Sequence, residues 1–90
     1  MTTYPKDPNA VLDYLFDWTA WLAPTADAIA SVTWLLSPGL TKVSSSFTPG
    51  TASVFVSGGV LNTTEKITCR ITTTGGRTDD RSIALKITDR

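Results

Sequence analysis

Three aspartates near the N-terminus come closest to a spacing that could support acid–base or metal chemistry. Asp7, Asp13 and Asp17 fall within eleven residues of one another. If Asp13 and Asp17 belong to one strand, they share a face and lie about 13 Å apart. That separation is too long for a carboxylate pair at a glycosidic bond or for ligands of one metal ion. We therefore expect a solvated strand face here.

A second acidic pair, Asp79-Asp80, lies between Arg77 and Arg81, and we expect it in the closing turn with local charge pairing. The sequence contains no histidine, which removes the usual general base at neutral pH and the commonest zinc ligand. We predict no catalytic residue, no metal and no cofactor, and hence no enzyme.

Cys69 is the single cysteine, so no internal disulfide can form. It alternates with Ile67 and Ile71, which predicts a small buried side chain rather than a reactive thiol. The pairs Gly58-Gly59 and Gly75-Gly76 are not followed by the Lys-Ser/Thr of a nucleotide loop. We interpret them as turn glycines.

Length and charge restrict the class of protein. Ninety residues correspond to one domain, and eight basic residues balance eight acidic ones. Without a basic excess we expect no nucleic-acid partner, and without a cationic amphipathic stretch we expect no membrane partner. The polar, proline-containing start does not resemble a signal peptide, so we expect synthesis in the cytoplasm.

The last third of the chain is patterned as two alternating strands around a glycine-containing turn. Ile67, Cys69 and Ile71 alternate with polar residues, and the run ending at Ile87 alternates in the same way. Upstream, apolar residues at even positions predict a strand over 11–22, in one or two pieces, with a helix as the alternative. Further strands are predicted over 29–36, 40–47 (weakly) and 52–57.

Six or seven short strands with turns between them are typical of a small immunoglobulin-like or fibronectin-type β-sandwich. Two prolines in the first ten residues favour extended backbone instead of helix. We therefore predict an all-β protein with an extended N-terminal arm over residues 1–10 and an Ig-like β-sandwich domain over residues 11–90.

Aromatic residues crowd into the same N-terminal stretch. Tyr14, Phe16 and Trp18 lie at even positions, on the face of the predicted strand that would form the core. Trp21 lies at an odd position, on the opposite face, and Tyr4 lies in the arm. Exposed aromatics often anchor protein interfaces, although a small cluster beneath the arm would explain them equally well. The predicted partner interface consists of Tyr4, Pro5, Lys6, Asp7, Pro8, Trp18 and Trp21.

Several stretches together resemble a known family. The segments YPKDPNAVLDYLFDW (4–18), IASVTW (29–34) and TCRITTTGGRTDDR (68–81) occur in this order, with Ser-Gly-Gly at 57–59 between the last two. This arrangement resembles small structural proteins of tailed bacteriophages, of the fiber-tail adaptor type. The resemblance covers nearly the whole chain. It implies an Ig-like virion component that joins other structural proteins, and it supplies no catalytic residues.

The leading hypothesis is therefore a non-enzymatic phage structural protein, present in multiple copies per particle as a tail, neck or fiber adaptor. Deleting residues 1–10 is expected to leave a folded domain that no longer enters particles. Two alternatives remain open at this stage. One is a capsid decoration protein on the phage head, and the other is a carbohydrate-binding adsorption module with tryptophans as stacking platforms.

Overall fold

The computed structural model describes residues 2–88 and contains seven strands and one short helix. The elements are β1 (Thr2–Lys6), β2 (Leu12–Asp17), α1 (Thr19–Leu22), β3 (Ile29–Leu36), β4 (Leu40–Phe47), β5 (Thr51–Gly58), β6 (Thr64–Thr73) and β7 (Thr78–Ile87). A 3₁₀ turn, Ala23–Thr25, follows α1.

The strands form two sheets, one with the order β1-β7-β6-β3 and one with the order β2-β5-β4. All pairs are antiparallel except β1 with β7, which run parallel. Strands β2, β3 and β4 are consecutive in the sequence but alternate between the two sheets. The connections between them therefore cross from one sheet to the other, and the two sheets lie face to face. The predicted all-β sandwich is confirmed, whereas its assignment to the immunoglobulin-like or fibronectin type stays a prediction.

The core lies between the inner faces of the two sheets, as the alternating pattern predicted. Ile67, Cys69 and Ile71 of β6 are buried, as are Leu85 and Ile87 of β7. On the facing sheet, Phe16 of β2 packs with the apolar inner residues of β5. Period-two alternation buries one face of each strand, so the apolar face predicted from the sequence forms the core.

The predicted strand over 11–22 is correct only in its first half. Strand β2 ends at Asp17, whose Oδ1 accepts a hydrogen bond from the Thr19 amide at 2.9 Å. The chain then turns into α1, where the Trp21 and Leu22 amides donate to the Trp18 carbonyl. An aspartate that binds the amide two residues ahead is a helix-initiating signal. Leu22 is buried in helix α1, as it would be in a continued strand. The alternation of apolar residues therefore did not reveal the change from strand to helix.

The closing hairpin is also tighter than predicted. Strand β7 begins at Thr78, so Asp79 and Asp80 belong to a strand and not to the turn. Asp80 lies opposite Arg70 and accepts hydrogen bonds from its Nε and Nη2 at 2.8 and 2.9 Å. A cross-strand partner therefore replaces the sequence-local pairing that we expected. The turn itself contains Gly76 with φ of +88°, which confirms the prediction of a turn glycine there.

Candidate partner interface

Strand β1 makes the N-terminal arm part of the four-stranded sheet over residues 2–6. Tyr4 and Pro5 remain exposed at its edge. The Tyr4 ring lies 5.7 Å from the ring of Tyr14 in β2, on the side where the two sheets meet. Proline at an edge position has no amide to pair outward, which limits uncontrolled strand addition at this edge. The arm thus presents an aromatic and a proline on an ordered strand.

Lys6 is fully buried at the end of β1. Its Nζ donates to the Gly58 carbonyl at 2.6 Å and to the Asp7 carbonyl at 3.0 Å. Burial lowers the pKa of the Lys6 amine, and the nearby Asp7 charge partly opposes this shift. Because Gly58 ends β5, the amine ties the two sheets together. The Lys6 amine therefore makes its hydrogen bonds within the chain, and the side chain exposes no surface to a partner.

Trp18 is also fully buried, in agreement with its core parity. Its ring meets that of Trp21 edge-on at 5.5 Å, and the Arg81 guanidinium lies 4.2 Å from its centroid. Burial raises the pKa of the adjacent Cys69 thiol to about 11, an effect that the Trp18 side chain partly opposes. This thiol is therefore an unreactive core group.

Trp21 is half-buried beneath Arg77, whose guanidinium lies 4.4 Å from the ring centroid. Trp18 is buried, and Trp34 of β3 packs half-buried against the core. Every tryptophan thus lies at least half-covered within the domain, whereas a sugar-stacking platform needs an exposed ring. This removes the feature that motivated the carbohydrate-binding hypothesis.

Asp27 joins the segment after α1 to the closing hairpin, a role that the sequence reasoning missed. Its Oδ1 accepts hydrogen bonds from the Thr74 hydroxyl, the Gly75 amide and the Ala28 amide at 2.7 to 3.0 Å. Hydrogen bonds from the hydroxyls of Thr73 and Thr74 hold the pKa of this carboxyl well below its usual range. Thr74 and Gly75 lie 47 and 48 positions away from Asp27 in the sequence. No local motif could have predicted them.

The residues predicted as one interface lie at different levels of the sandwich. Lys6 pairs with Ile87 at one end of β7, whereas Trp18 packs under Arg81, six residues earlier on the same strand. That difference corresponds to about 20 Å along the strand. Lys6, Asp7 and Pro8 are therefore grouped at one end and the two tryptophans at the other, with Tyr4 between them.

Exposed apolar residues that we had not singled out surround the first of these ends. Val60 and Leu61 are exposed in the loop before β6, and Val11 is exposed just before β2. The Asn62 amide donates to the Ile87 carbonyl at 2.9 Å, which sets this loop beside the end of β1. The signal was present in the sequence as an apolar pair directly after Gly58-Gly59. We call the following residues the arm-end surface: Tyr4, Pro5, Asp7, Pro8, Val11, Val60 and Leu61.

Comparison with known proteins identifies the family. Residues 6–86 match the family Gp77, described as podophage GP4 fiber-tail adaptor protein gp77. This chain belongs to the fiber-tail adaptor family. The match spans most of the described domain, including β2 to β6 in full, and it confirms the resemblance seen in the sequence. No curated protein matches the chain.

Membership in the fiber-tail adaptor family identifies a phage structural protein and implies a location in the virion. Within residues 2–88, no group of three or more histidine, cysteine or acidic side chains is arranged to hold a metal ion. Nor does any helix in this range reach the length and apolarity needed to cross a bilayer. The described surface carries exposed apolar residues, and Tyr4 and Pro5 are exposed on the outer strand β1.

Proposed function

We propose that this chain is a non-enzymatic adaptor that joins a tail or neck component to a fiber component through the arm-end surface. Family membership supports the adaptor role, and the carrying observation is the group of exposed apolar residues around the end of β1. About half of the surface of Val11, Val60 and Leu61 is left uncovered within the domain. A partner that covered them would gain their transfer free energy.

The ordering of β1 supports a docking role for this surface. Lys6 fixes the strand to β5 through Gly58, so Tyr4 and Pro5 are held in place before any partner arrives. A surface ordered in advance loses little conformational entropy on binding. Asp7 and Pro8 follow directly and are half-exposed, so they add polar and apolar contacts beside the loop with Val60 and Leu61.

Deletion of residues 1–10 is a poor test of this proposal because it removes a strand of the sheet along with the surface. It would uncover the β7 edge and the buried Leu85 and Ile87. Substitutions at exposed positions separate docking from folding. Exposed surface substitutions typically change the free energy of unfolding by about 0.5 kcal/mol or less.

The test is a double variant, Val60→Asp with Leu61→Asp, in the complete phage. We expect purified particles to lose this protein or the attached fiber at least tenfold, measured by quantitative mass spectrometry of the virion proteins. The matched control is Ser45→Asp with Ser46→Asp on β4, another exposed pair away from the arm end. Circular dichroism melts verify that both purified variants fold. Normal incorporation and normal fiber content in the Val60–Leu61 variant would contradict the proposal.

A further inference from the structure

Strand β3 forms one edge of the four-stranded sheet, and β1 forms the other. Within residues 2–88, β3 pairs with β6 alone. An edge strand presents a row of unpaired backbone groups, and proteins usually protect such edges with charges, prolines or irregular pairing. The sequence of β3, IASVTWLL, contains no charged residue and no proline.

The three other edge strands of the described chain each carry one of these protections. Strand β1 contains a proline, β2 contains two aspartates, and β4 contains a lysine followed by irregular pairing with β5. The irregularity of β3 lies at its start, between Ile29 and Ser31, so residues 32–36 pair regularly with β6. This stretch of β3 is therefore the least protected edge of the two sheets.

The register of the strand pair shows which backbone groups of β3 face outward. Leu36 lies opposite Ile67, and the amide of the next residue, Ser37, donates to the Lys66 carbonyl at 3.0 Å. In an antiparallel ladder, hydrogen-bonded and non-hydrogen-bonded pairs alternate along the strands. The backbone N–H and C=O groups that point away from β6 therefore belong to Val32, Trp34 and Leu36.

These outward groups are unpaired within residues 2–88, where neither a strand nor a loop donates to them or accepts from them. At the start of β3 the situation differs, because the Ile29 amide donates to the Pro49 carbonyl at 2.9 Å. The open stretch is therefore residues 32–36, which span about 16 Å at strand rise.

The sandwich leaves space beside this edge. Lys42 and Phe47 of β4 lie opposite Val56 and Ala52, two fully buried core residues, yet both are exposed. Side chains directly opposite each other in a strand pair share one face of the sheet. The inner side of β4 is thus not covered by the four-stranded sheet, and Trp34 on the inner side of β3 is only half-buried. One more strand beside β3 would cover both.

We propose that β3 binds an extended segment of another virion protein, which joins the four-stranded sheet as an additional strand. In strand addition, backbone hydrogen bonds supply affinity and alternate side chains supply specificity. Because β3 carries no charge, the segment is uncharged over about five residues, the length of the open stretch at strand rise. Every second side chain is apolar and packs towards Trp34 and Phe47, and its backbone amides, not prolines, face β3.

The segment comes from another protein because all seven strands of this chain already belong to its two sheets. An adaptor contacts two neighbours, and the β3 edge lies on the opposite side of the four-stranded sheet from β1. The inference goes beyond the proposed function, which uses the arm-end surface. Val60→Asp with Leu61→Asp should therefore leave strand addition at β3 unchanged, and the failure of either proposal would leave the other standing.

The experiment uses overlapping synthetic peptides that cover the neck, tail and fiber proteins of the same phage, added to the purified full chain. We expect at least one peptide with the alternating apolar pattern to bind. It should slow amide hydrogen exchange at least tenfold at Val32, Trp34 and Leu36, measured by NMR. Thr33 and Leu35 should change little, because their amides are already bonded to β6. Binding should persist at about 1 M salt, since no ion pair contributes to it.

Three results would overturn the proposal. One is that no peptide binds, and another is that a peptide binds without slowing exchange at the three outward amides. The third is that these amides become protected when the protein alone is concentrated, because a second copy would then be the occupant of the edge.

Val32→Pro tests the role of the backbone. Proline removes an outward donor and places its ring where the added strand would lie, while the pairing with β6 is kept. We expect peptide affinity to fall at least tenfold. The matched control is Thr3→Pro on β1, because the bond from the Thr88 amide to the Lys6 carbonyl places the Thr3 backbone outward as well. Circular dichroism melts verify that both variants fold, and equal affinity of Val32→Pro and wild type would contradict backbone pairing at β3.

Discussion

Individual residues show how far the position of a side chain in the alternating sequence pattern can predict its burial. Trp18 and Cys69 are buried, as their positions in the alternating pattern indicated. Lys6 is equally buried, although nothing in its neighbourhood in the sequence predicts it, because its acceptor on Gly58 lies 52 positions away. Asp27 escaped notice for the same reason. Local spacing therefore predicted the apolar core, whereas the polar groups that hold the sheets and loops together depend on tertiary partners.

Asp27 gives a prediction of pH dependence at this scale. Its pKa is below the ordinary value of 3.8 in the folded protein, so the ionised carboxylate stabilises the fold at pH values above that figure. As the pH falls below it towards the folded pKa, this contribution is progressively lost. We expect Asp27→Asn to lower the free energy of unfolding at neutral pH. The difference from the wild type should shrink when urea denaturation is repeated below about pH 3.

The control for this measurement is Asp79→Asn, which changes an exposed carboxylate outside the Asp27 network. A difference between Asp27→Asn and wild type that is independent of pH would contradict the assigned role of the charge. It would leave only the loss of hydrogen-bond geometry as the cause.

At the scale of elements, strands with strict alternation were predictable. The bounds of β3 and β4 agree with the sequence prediction to the residue, and both apolar runs of the closing hairpin form strands. Helix α1 was missed because four residues are too few to show a helical period, and Leu22 keeps the parity of the preceding strand. The start of β7 was placed too late because Asp79 and Asp80 are typical turn residues. Cross-strand pairing of Asp80 with Arg70 overrides that preference.

The attachment of β1 depends on one buried amine, and Lys6→Met tests this. Methionine keeps much of the apolar stem but cannot donate to the carbonyls of Gly58 and Asp7. We expect a loss of about 1–3 kcal/mol in the free energy of unfolding, which is the usual cost of leaving a buried partner unsatisfied. We also expect faster hydrogen exchange at the Thr88 amide, which donates to the Lys6 carbonyl.

Lys42→Met is the matched control for this substitution, because Lys42 is an exposed lysine on the edge strand β4. It should change neither the free energy of unfolding nor the Thr88 protection by a comparable amount. If Lys6→Met were equally neutral, the arm would be held by backbone pairing with β7 alone.

The whole molecule is an elongated sandwich of 42 by 22 by 18 Å with different surfaces at its two ends. The sequence predicted the sandwich and, through resemblance, the family, because both depend on the order of motifs along the chain. It could not predict that the seven residues chosen as one interface are separated along the sandwich. Surfaces are properties of the assembled fold.

The central claim is that this protein acts as an adaptor with its arm-end surface against a neighbouring virion protein. A cryo-electron reconstruction of the phage particle tests it most directly. We predict density for this domain at the junction of tail and fiber, with Tyr4, Pro5, Val60 and Leu61 covered by another chain. Density on the head surface, where a capsid decoration protein would lie, or an arm-end surface left open to solvent at the junction, would contradict it.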